Sequence, residues 1–467
     1  MESRKYKKLI FNTVIYGIGN ITSRLIGVIM LPVYTRYLSQ SDYGIIDLLT
    51  TTILLTMPIF SFNIIEAVFR FSLDNIPKEK VFSNSIFLAI SGWIIMVFFY
   101  PFLRFIDFIR DYTVLFYLLF LLQSIESVIK QFSRGINLNK VYMISDILYT
   151  VVLTLTNILF IIILGTGING YLISMILASF FDILYLSCKV GIKDKLSFNY
   201  IDRNIAKEML IFSIPLIPNS LFSNMSNRYF ILYYLGLAAN GIYGVANKFP
   251  TLISLLHRIF FLSWQISAVE EYNSGDKDKF YTNIFNFFYF SMIIVVSLYI
   301  TFNKLVIKLL VSQEFYIAWK YSPILFFAAI FLSFSGFLGT NYTASKNTKG
   351  ALITTFLGAI INIILNFILI PSYGLYGSCF STLISYFAIW IIRIFDTRKY
   401  VIINYSIIRI ILSILVVSTQ LYLHYLEINV YLIGAISFII LLILSWKYYM
   451  KLFNFLLIEL KKKLNSV

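Results

Sequence analysis

Leu9–Leu38, LIFNTVIYGIGNITSRLIGVIMLPVYTRYL, is the stretch on which the reading of the whole chain turns. As far as Thr35 it is apolar or small and polar, apart from one arginine, Arg24, near its centre. A hydrocarbon core about 30 Å thick takes roughly 20 apolar residues in a helix, so the run predicts a membrane-spanning helix. A cation at that depth costs about 2.5–3.5 kcal/mol on insertion scales and usually faces a protein interior or a water-filled cavity. Arg24 therefore reads as part of a cationic wall for something anionic; snorkelling or pairing with an acid is the plainer alternative. Ser39-Gln40-Ser41-Asp42-Tyr43-Gly44 follows, and then a second apolar run begins.

The composition extends this reading to the whole chain. Of 467 residues, 59% are hydrophobic and 13% charged, and the mean hydropathy is +0.83. No soluble core hides that much apolar surface. Lys and Arg outnumber Asp and Glu by 38 to 22, a net charge of +16. In a soluble protein that balance would suggest nucleic acid; here the positive-inside rule explains it, and no nucleic-acid partner is expected. Cys188 and Cys379 offer neither a disulfide framework nor metal-ligand spacing. His257 and His424 stand apart from both, so no metal site is expected. The basic start MESRKYKK resembles the n-region of a signal peptide, but the apolar run behind it is too long and many more follow, which predicts a retained first span.

About fourteen spans are expected, near residues 9–36, 44–65, 83–103, 113–132, 141–163, 170–190, 209–234, 241–263, 283–303, 322–343, 351–370, 374–394, 405–425 and 430–450. The fold class is thus an all-α integral membrane protein, with connections too short for a soluble catalytic domain. With the N-terminus, the even-to-odd loops and the tail assigned to one side, and residues near the span ends counted with the side they flank, that side holds 28 Lys and Arg against six opposite, with Arg24, Arg228, Lys248 and Arg258 left inside spans. This asymmetry places both termini in the cytoplasm.

The chain also repeats itself. Tyr37-Leu38 with Gly44-Ile45 matches Tyr234-Leu235 with Gly241-Ile242. Lys78-Glu79-Lys80 before Asn84 matches Lys277-Asp278-Lys279 before Asn283, and Gly167, Gly170 and Ser174 match Gly374, Gly377 and Ser381. Six spans separate the copies, so the repeats share one topology, which implies two lobes about an axis along the membrane normal with a site at their interface. The expected organisation is two pseudo-symmetric six-helix lobes, 1–195 and 196–400, followed by two C-terminal helices and a basic cytoplasmic tail in 401–467.

Arg24, Arg228, Lys248 and Arg258 are the cations inside spans. An arginine fork donates two parallel charge-assisted hydrogen bonds, which suits phosphate, whereas Lys248 would act as a point charge. A central cationic cavity points to a phosphate-bearing substrate; for Arg258, near the end of its span, snorkelling is the competing reading. Glu126, Asp146 and Asp182 form a second set on spans four to six. Intramembrane acids bind protons or sodium in coupled transporters, or serve as structural partners. Enzyme signatures are lacking: there is neither a Gly-x-Ser-x-Gly elbow nor a Walker loop. Asp107 and Asp111, on a short loop with Arg104 and Arg110, read as a surface salt-bridge cluster rather than a glycosyltransferase site.

These residues carry a resemblance. Ser23-Arg24 leading to Leu31-Pro32-Val33-Tyr34-Thr35-Arg36-Tyr37-Leu38, then Asp42-Tyr43-Gly44, resembles the opening of bacterial polysaccharide repeat-unit flippases of the multidrug, oligosaccharidyl-lipid and polysaccharide exporter superfamily. Ala67-Val68-Phe69-Arg70-Phe71 resembles that family's second-span exit, which adds Arg70 to the candidate substrate-binding cations. Asn227-Arg228-Tyr229-Phe230 resembles its seventh-span motif, usually Asp-Arg, with asparagine replacing the acid; Gly241-Ile242-Tyr243 with Lys248, and the Glu314-Phe315 stretch, continue the match. The resemblance implies an inner-membrane flippase, not an enzyme, that moves undecaprenyl-pyrophosphate-linked oligosaccharide to the outer leaflet by alternating access, for O-antigen or capsule. It implies a bilayer setting, association with a polysaccharide polymerase and chain-length regulator, and no cofactor beyond coupling to a proton or sodium gradient. A peptidoglycan-precursor flippase and a multidrug–cation antiporter share the architecture. The latter should have an acidic or apolar cavity, whereas this one is net basic.

Overall fold

The computed structural model describes residues 26–217, 227–272, 274–345 and 349–464. Two compact units emerge, one of residues 1–248 with 310–315, the other of residues 249–309 with 316–467. The long helices of the first unit are α1 (Leu31–Tyr37), α2 (Gln40–Phe60), α3 (Ile64–Ser72), α4 (Lys78–Phe98), α5 (Thr113–Gly135), α6 (Asn139–Asn157, extended by a π turn Ile158–Ile163), α7 (Gly167–Val190), α8 (Arg203–Ser213) and α9 (Arg228–Ala246). Those of the second are α10 (Pro250–Glu271), α11 (Lys277–Leu310), α12 (Ser322–Ala344), α13 (Lys349–Tyr373), α14 (Leu375–Thr397), α15 (Ile407–Tyr425) and α16 (Val430–Leu464).

Among the described residues twelve helical segments are long and apolar enough to cross a membrane. Most of the expected first span, including Arg24, and the part of the seventh at 218–226 lie outside the described residues. The expected break near residues 235–240 falls inside α9, which is two helical stretches meeting at Gly236; its φ of 82° and ψ of −176° are non-helical, open to glycine and costly for other residues. Asn227 and Arg228 thereby come back beside Tyr243. A further break precedes Pro250, which opens α10 at a position where its missing N–H goes unused.

Each connection has a local cause. The step from α1 to α2 is a capping box: Ser39 Oγ accepts from the Asp42 amide and the Asp42 carboxylate accepts from the Ser39 amide, both at 3.1 Å. One end of the first unit is closed by an apolar core of Ile64, Val68, Phe82, Phe132, Leu186 and Met209. Beside it Lys80 donates to Asp202 at 2.9 Å, which holds that carboxyl below the usual carboxylate range. The second unit is built round stacked rings, with Trp264 on Phe337 and Phe260 on Phe288, each pair 4.3 Å apart. Many large apolar side chains face outward, such as Phe102, Leu155, Ile408 and Ile443, as a lipid solvent requires.

The repeated glycines adopt the same local geometry in each unit. In the first, Gly167 has φ 56°, and Ser174 Oγ donates to Gly170 O at 2.7 Å. In the second, Gly374 has φ 58°, and Ser381 Oγ donates to Gly377 O at 2.7 Å. A Cβ at Gly170 would lie 2.2 Å from Thr166 Oγ1, and one at Gly377 2.2 Å from Leu369 O. Both positions demand glycine because the end of the preceding apolar segment packs against the helix start.

Three basic residues counted with the cytoplasmic side lie within helices. Lys130 is in α5, Arg393 in α14 and Arg409 in the first turn of α15. The reason is visible for Arg393, which is buried and donates to Ser335 O at 2.8 Å, Thr354 Oγ1 at 3.0 Å and Thr355 Oγ1 at 3.1 Å. Neutral oxygens from α12 and α13 satisfy its fork, so the charge does not end the helix.

Candidate functional site

Helices α2 and α9 touch backbone to backbone. Gly44 and Gly241, paired by the sequence repeat, lie against each other: a Cβ at Gly241 would stand 1.9 Å from Gln40 O, and one at Gly44 2.2 Å from Leu237 O. Asn240 Nδ2 donates to Gly44 O at 3.1 Å across the same crossing. Small residues allow this approach, as at many helix crossings in membranes. One turn further along each helix stand Asp47 and Gly244. A Cβ at Gly244 would meet Asp47 Cγ at 3.1 Å and the Tyr43 ring at 3.2 Å, so this glycine makes room for the carboxylate.

Into that space Arg228, the first residue of α9, extends its guanidinium. Nε donates to Asp47 Oδ2, and Nη2 donates to Asp47 Oδ1 at 3.2 Å. This is the two-pronged pairing that an arginine fork favours. The pair is well shielded, with side-chain exposures of 17% for Arg228 and 9% for Asp47. Its walls are aromatic and polar. The Tyr243 ring centre is 5.8 Å from the guanidinium carbon, Asn227 Nδ2 donates to Tyr243 Oη at 3.2 Å, and Thr52 and Tyr229 share a hydrogen bond of 2.8 Å. Lys248, just beyond α9, is close enough to feel both Asp47 and Arg228. Two cations against one carboxylate leave this centre with an excess of positive charge.

A second centre lies in the same unit. Lys130 Nζ is 2.7 Å from Glu126 Oε1 on its own helix, 3.1 Å from Asp146 Oδ1 on α6 and 2.9 Å from Asp182 Oδ2 on α7. Ser145 Oγ also donates to Asp182 Oδ2 at 2.9 Å, and the Tyr149 ring lies 5.3 Å from the ammonium. The three acids read from the sequence as one set on spans four to six are gathered by one lysine.

Of the candidate cations, Arg228 and Lys248 come together. Arg24 lies outside the described residues. Arg70 sits exposed at the end of α3, paired with Asp74 one turn on. Arg258 is an exposed residue of α10, in the other unit. The asparagine at 227 does not leave Arg228 without an acid, because Asp47 supplies the carboxylate from another helix. Asp47 and Lys130 were both missed by the sequence reading. An acid inside the second apolar run was a signal of the same kind as Arg24. Lys130 stands four residues after Glu126, the spacing of a helical ion pair.

A bundle of long apolar helices with ion pairs sealed inside it is a multi-pass membrane protein, and its fold is shared with solved membrane proteins. The structure resembles that of the lipid II flippase MurJ in an inward closed conformation, at 17% identity over 95% of this chain and 100% of that one, with a TM-score of 0.69. It also resembles an inward-facing multidrug-resistance MATE transporter of the MOP superfamily, at 14% identity over 81% and 94% of the two chains, with a TM-score of 0.67. The chain belongs to the polysaccharide biosynthesis protein family, whose model matches residues 9–264. An uncharacterised membrane protein, MJ1068 of Methanocaldococcus jannaschii, is 29% identical over 217 residues, which is 42% of the length of each protein.

Proposed function

We propose that the chain is a flippase that carries undecaprenyl-pyrophosphate-linked oligosaccharide from the cytoplasmic to the outer leaflet of a bacterial inner membrane, feeding O-antigen or capsule assembly. The observation that carries this reading is the Arg228–Asp47–Lys248 centre, net positive and set inside a chain of the polysaccharide biosynthesis family. A diphosphate head group suits it because arginine binds phosphate with two parallel hydrogen bonds and lysine adds charge without geometric demand. Arg24, Arg70 and Arg258 are the further cations proposed to meet the head group along its path. The six-helix lobes 1–195 and 196–400 would rock about the site to alternate access, with 401–467 outside the repeat. Glu126, Asp146 and Asp182 are the groups through which an ion gradient would act. A polymerase and a chain-length regulator are the proposed downstream partners.

A flipping assay in proteoliposomes with a fluorescent undecaprenyl-pyrophosphate oligosaccharide tests the reading. Wild type should move it, Arg24→Ala should abolish movement while the protein remains inserted and abundant, and Arg24→Lys should restore only part. Transport of lipid-linked peptidoglycan precursor or of cationic drugs, but not of the oligosaccharide lipid, would replace this reading with one of its two relatives.

The cytoplasmic placement of both termini rests on the asymmetry of basic residues. In a Cys188→Ser background, cysteines at residues 189–208 should react only from the cytoplasmic face and those at 104–112 only from outside. Labelling of both from outside intact cells overturns the orientation.

A further inference from the structure

The oxygens of Glu126, Asp146 and Asp182 surround Lys130 Nζ at 2.7–3.1 Å, as ligands surround a small cation. The cation here is part of the chain. Fully ionised, three carboxylates against one ammonium would carry a net charge of −2 in a shielded interior. Buried uncompensated charge is costly, and such groups neutralise by taking up a proton. A second observation says where the proton goes. Asp182 is completely buried, and its Oδ1 has no hydrogen-bond partner, whereas Oδ2 receives both Lys130 and Ser145. An unpartnered carboxylate oxygen carries the full desolvation penalty of its charge, which protonation of the carboxyl relieves. The titratable groups facing Asp182 are Glu126 and Lys130 from α5 and Tyr185 from α7 itself; Asp146 and Tyr149 from α6 face Lys130, and Tyr149 in turn faces Glu126 and Tyr171.

We propose that Lys130 is the resident cation of this site, that it occupies the position a metal ion would take, and that the exchangeable ligand is a single proton carried on Asp182. A tethered ammonium competes as an intramolecular ligand, at an effective concentration set by its own short side chain. Loss of the proton takes the four-group site from −1 to −2, and each state favours a different packing of α5, α6 and α7. The inference deepens the coupling part of the proposed function by naming the ion, and its test reads binding rather than transport, so either can fail without the other.

The experiment uses the full-length protein in detergent at neutral pH. Infrared spectra of wild type should show the carbonyl band of a protonated carboxyl group, and Asp182→Asn should remove it. Wild type should bind no radioactive sodium in an equilibrium assay. Lys130→Met, which vacates the central position, should gain saturable sodium binding, and adding Asp182→Asn should abolish that gain. Saturable sodium binding by wild type that Asp182→Asn removes would overturn the proposal. So would a carboxyl band unchanged in Asp182→Asn, or a folded Lys130→Met protein that binds no sodium. If Lys130→Met does not fold, the measurements on wild type and Asp182→Asn still decide the matter.

Discussion

Arg228→Leu should destabilise the protein by about 3–5 kcal/mol, the range found when one partner of a buried ion pair is removed. The loss comes less from the missing attraction than from the carboxylate left behind. Asp47 is 7% exposed and would keep a charge that nothing else in its pocket receives bidentately. Adding Asp47→Leu should therefore recover most of the stability, because replacing a whole buried pair with apolar side chains is often neutral or stabilising. Transport should not recover. If Arg228 meets the diphosphate, the double variant has a sound fold and no fork for the head group. Thermal unfolding in detergent and the flipping assay, run on both single variants and the double variant, separate the two roles. A double variant that both folds and transports would remove Arg228 from the substrate path and leave it a structural residue.

The sequence reading found the all-helical membrane fold because most spans are long apolar runs, and a membrane leaves a helix little alternative. It found the repeat because the glycines sit where backbones meet, and only glycine fits there: Gly170 and Gly377 occupy the same local structure in two units. Its span bounds contained Lys130 and Arg393, yet it counted both with the charges of the cytoplasmic side. A basic residue after an apolar run looks like the edge of the membrane unless its partners are known. For Lys130 those partners lie on three helices, and for Arg393 they are neutral oxygens of α12 and α13. The pairing of Arg228 with Asp47 was hidden for a related reason. The two residues are 181 positions apart, and periodicity carries no information about which helices become neighbours. The asparagine at 227 pointed to a lost salt bridge, whereas folding supplied the acid from α2.

Gly241→Val should be the most damaging single change to the helix pair that builds this centre. The added Cβ would lie 1.9 Å from the carbonyl oxygen of Gln40, and the Gly44 amide nitrogen is only 3.1 Å away. The obstacle is main chain, so no rotamer change relieves it, and α2 and α9 must separate. Overpacking in a well-packed core costs about 1–3 kcal/mol, occasionally more; a backbone clash belongs at the upper end. Separation would also break the Asn240–Gly44 hydrogen bond and move Asp47 away from Arg228, one turn along, where the pairing needs distances near 3 Å. Stability and transport should therefore fall together, unlike in the Arg228 and Asp47 double variant. Gly27→Ala is the control. Nothing lies within 4 Å of a Cβ at Gly27, and alanine is the better helix former by roughly 0.5–1 kcal/mol. Its unfolding midpoint should stay level or rise, while that of Gly241→Val falls. Equal stability and transport in Gly241→Val and wild type would mean that the α2–α9 crossing is looser than described and that the Arg228 centre does not depend on it.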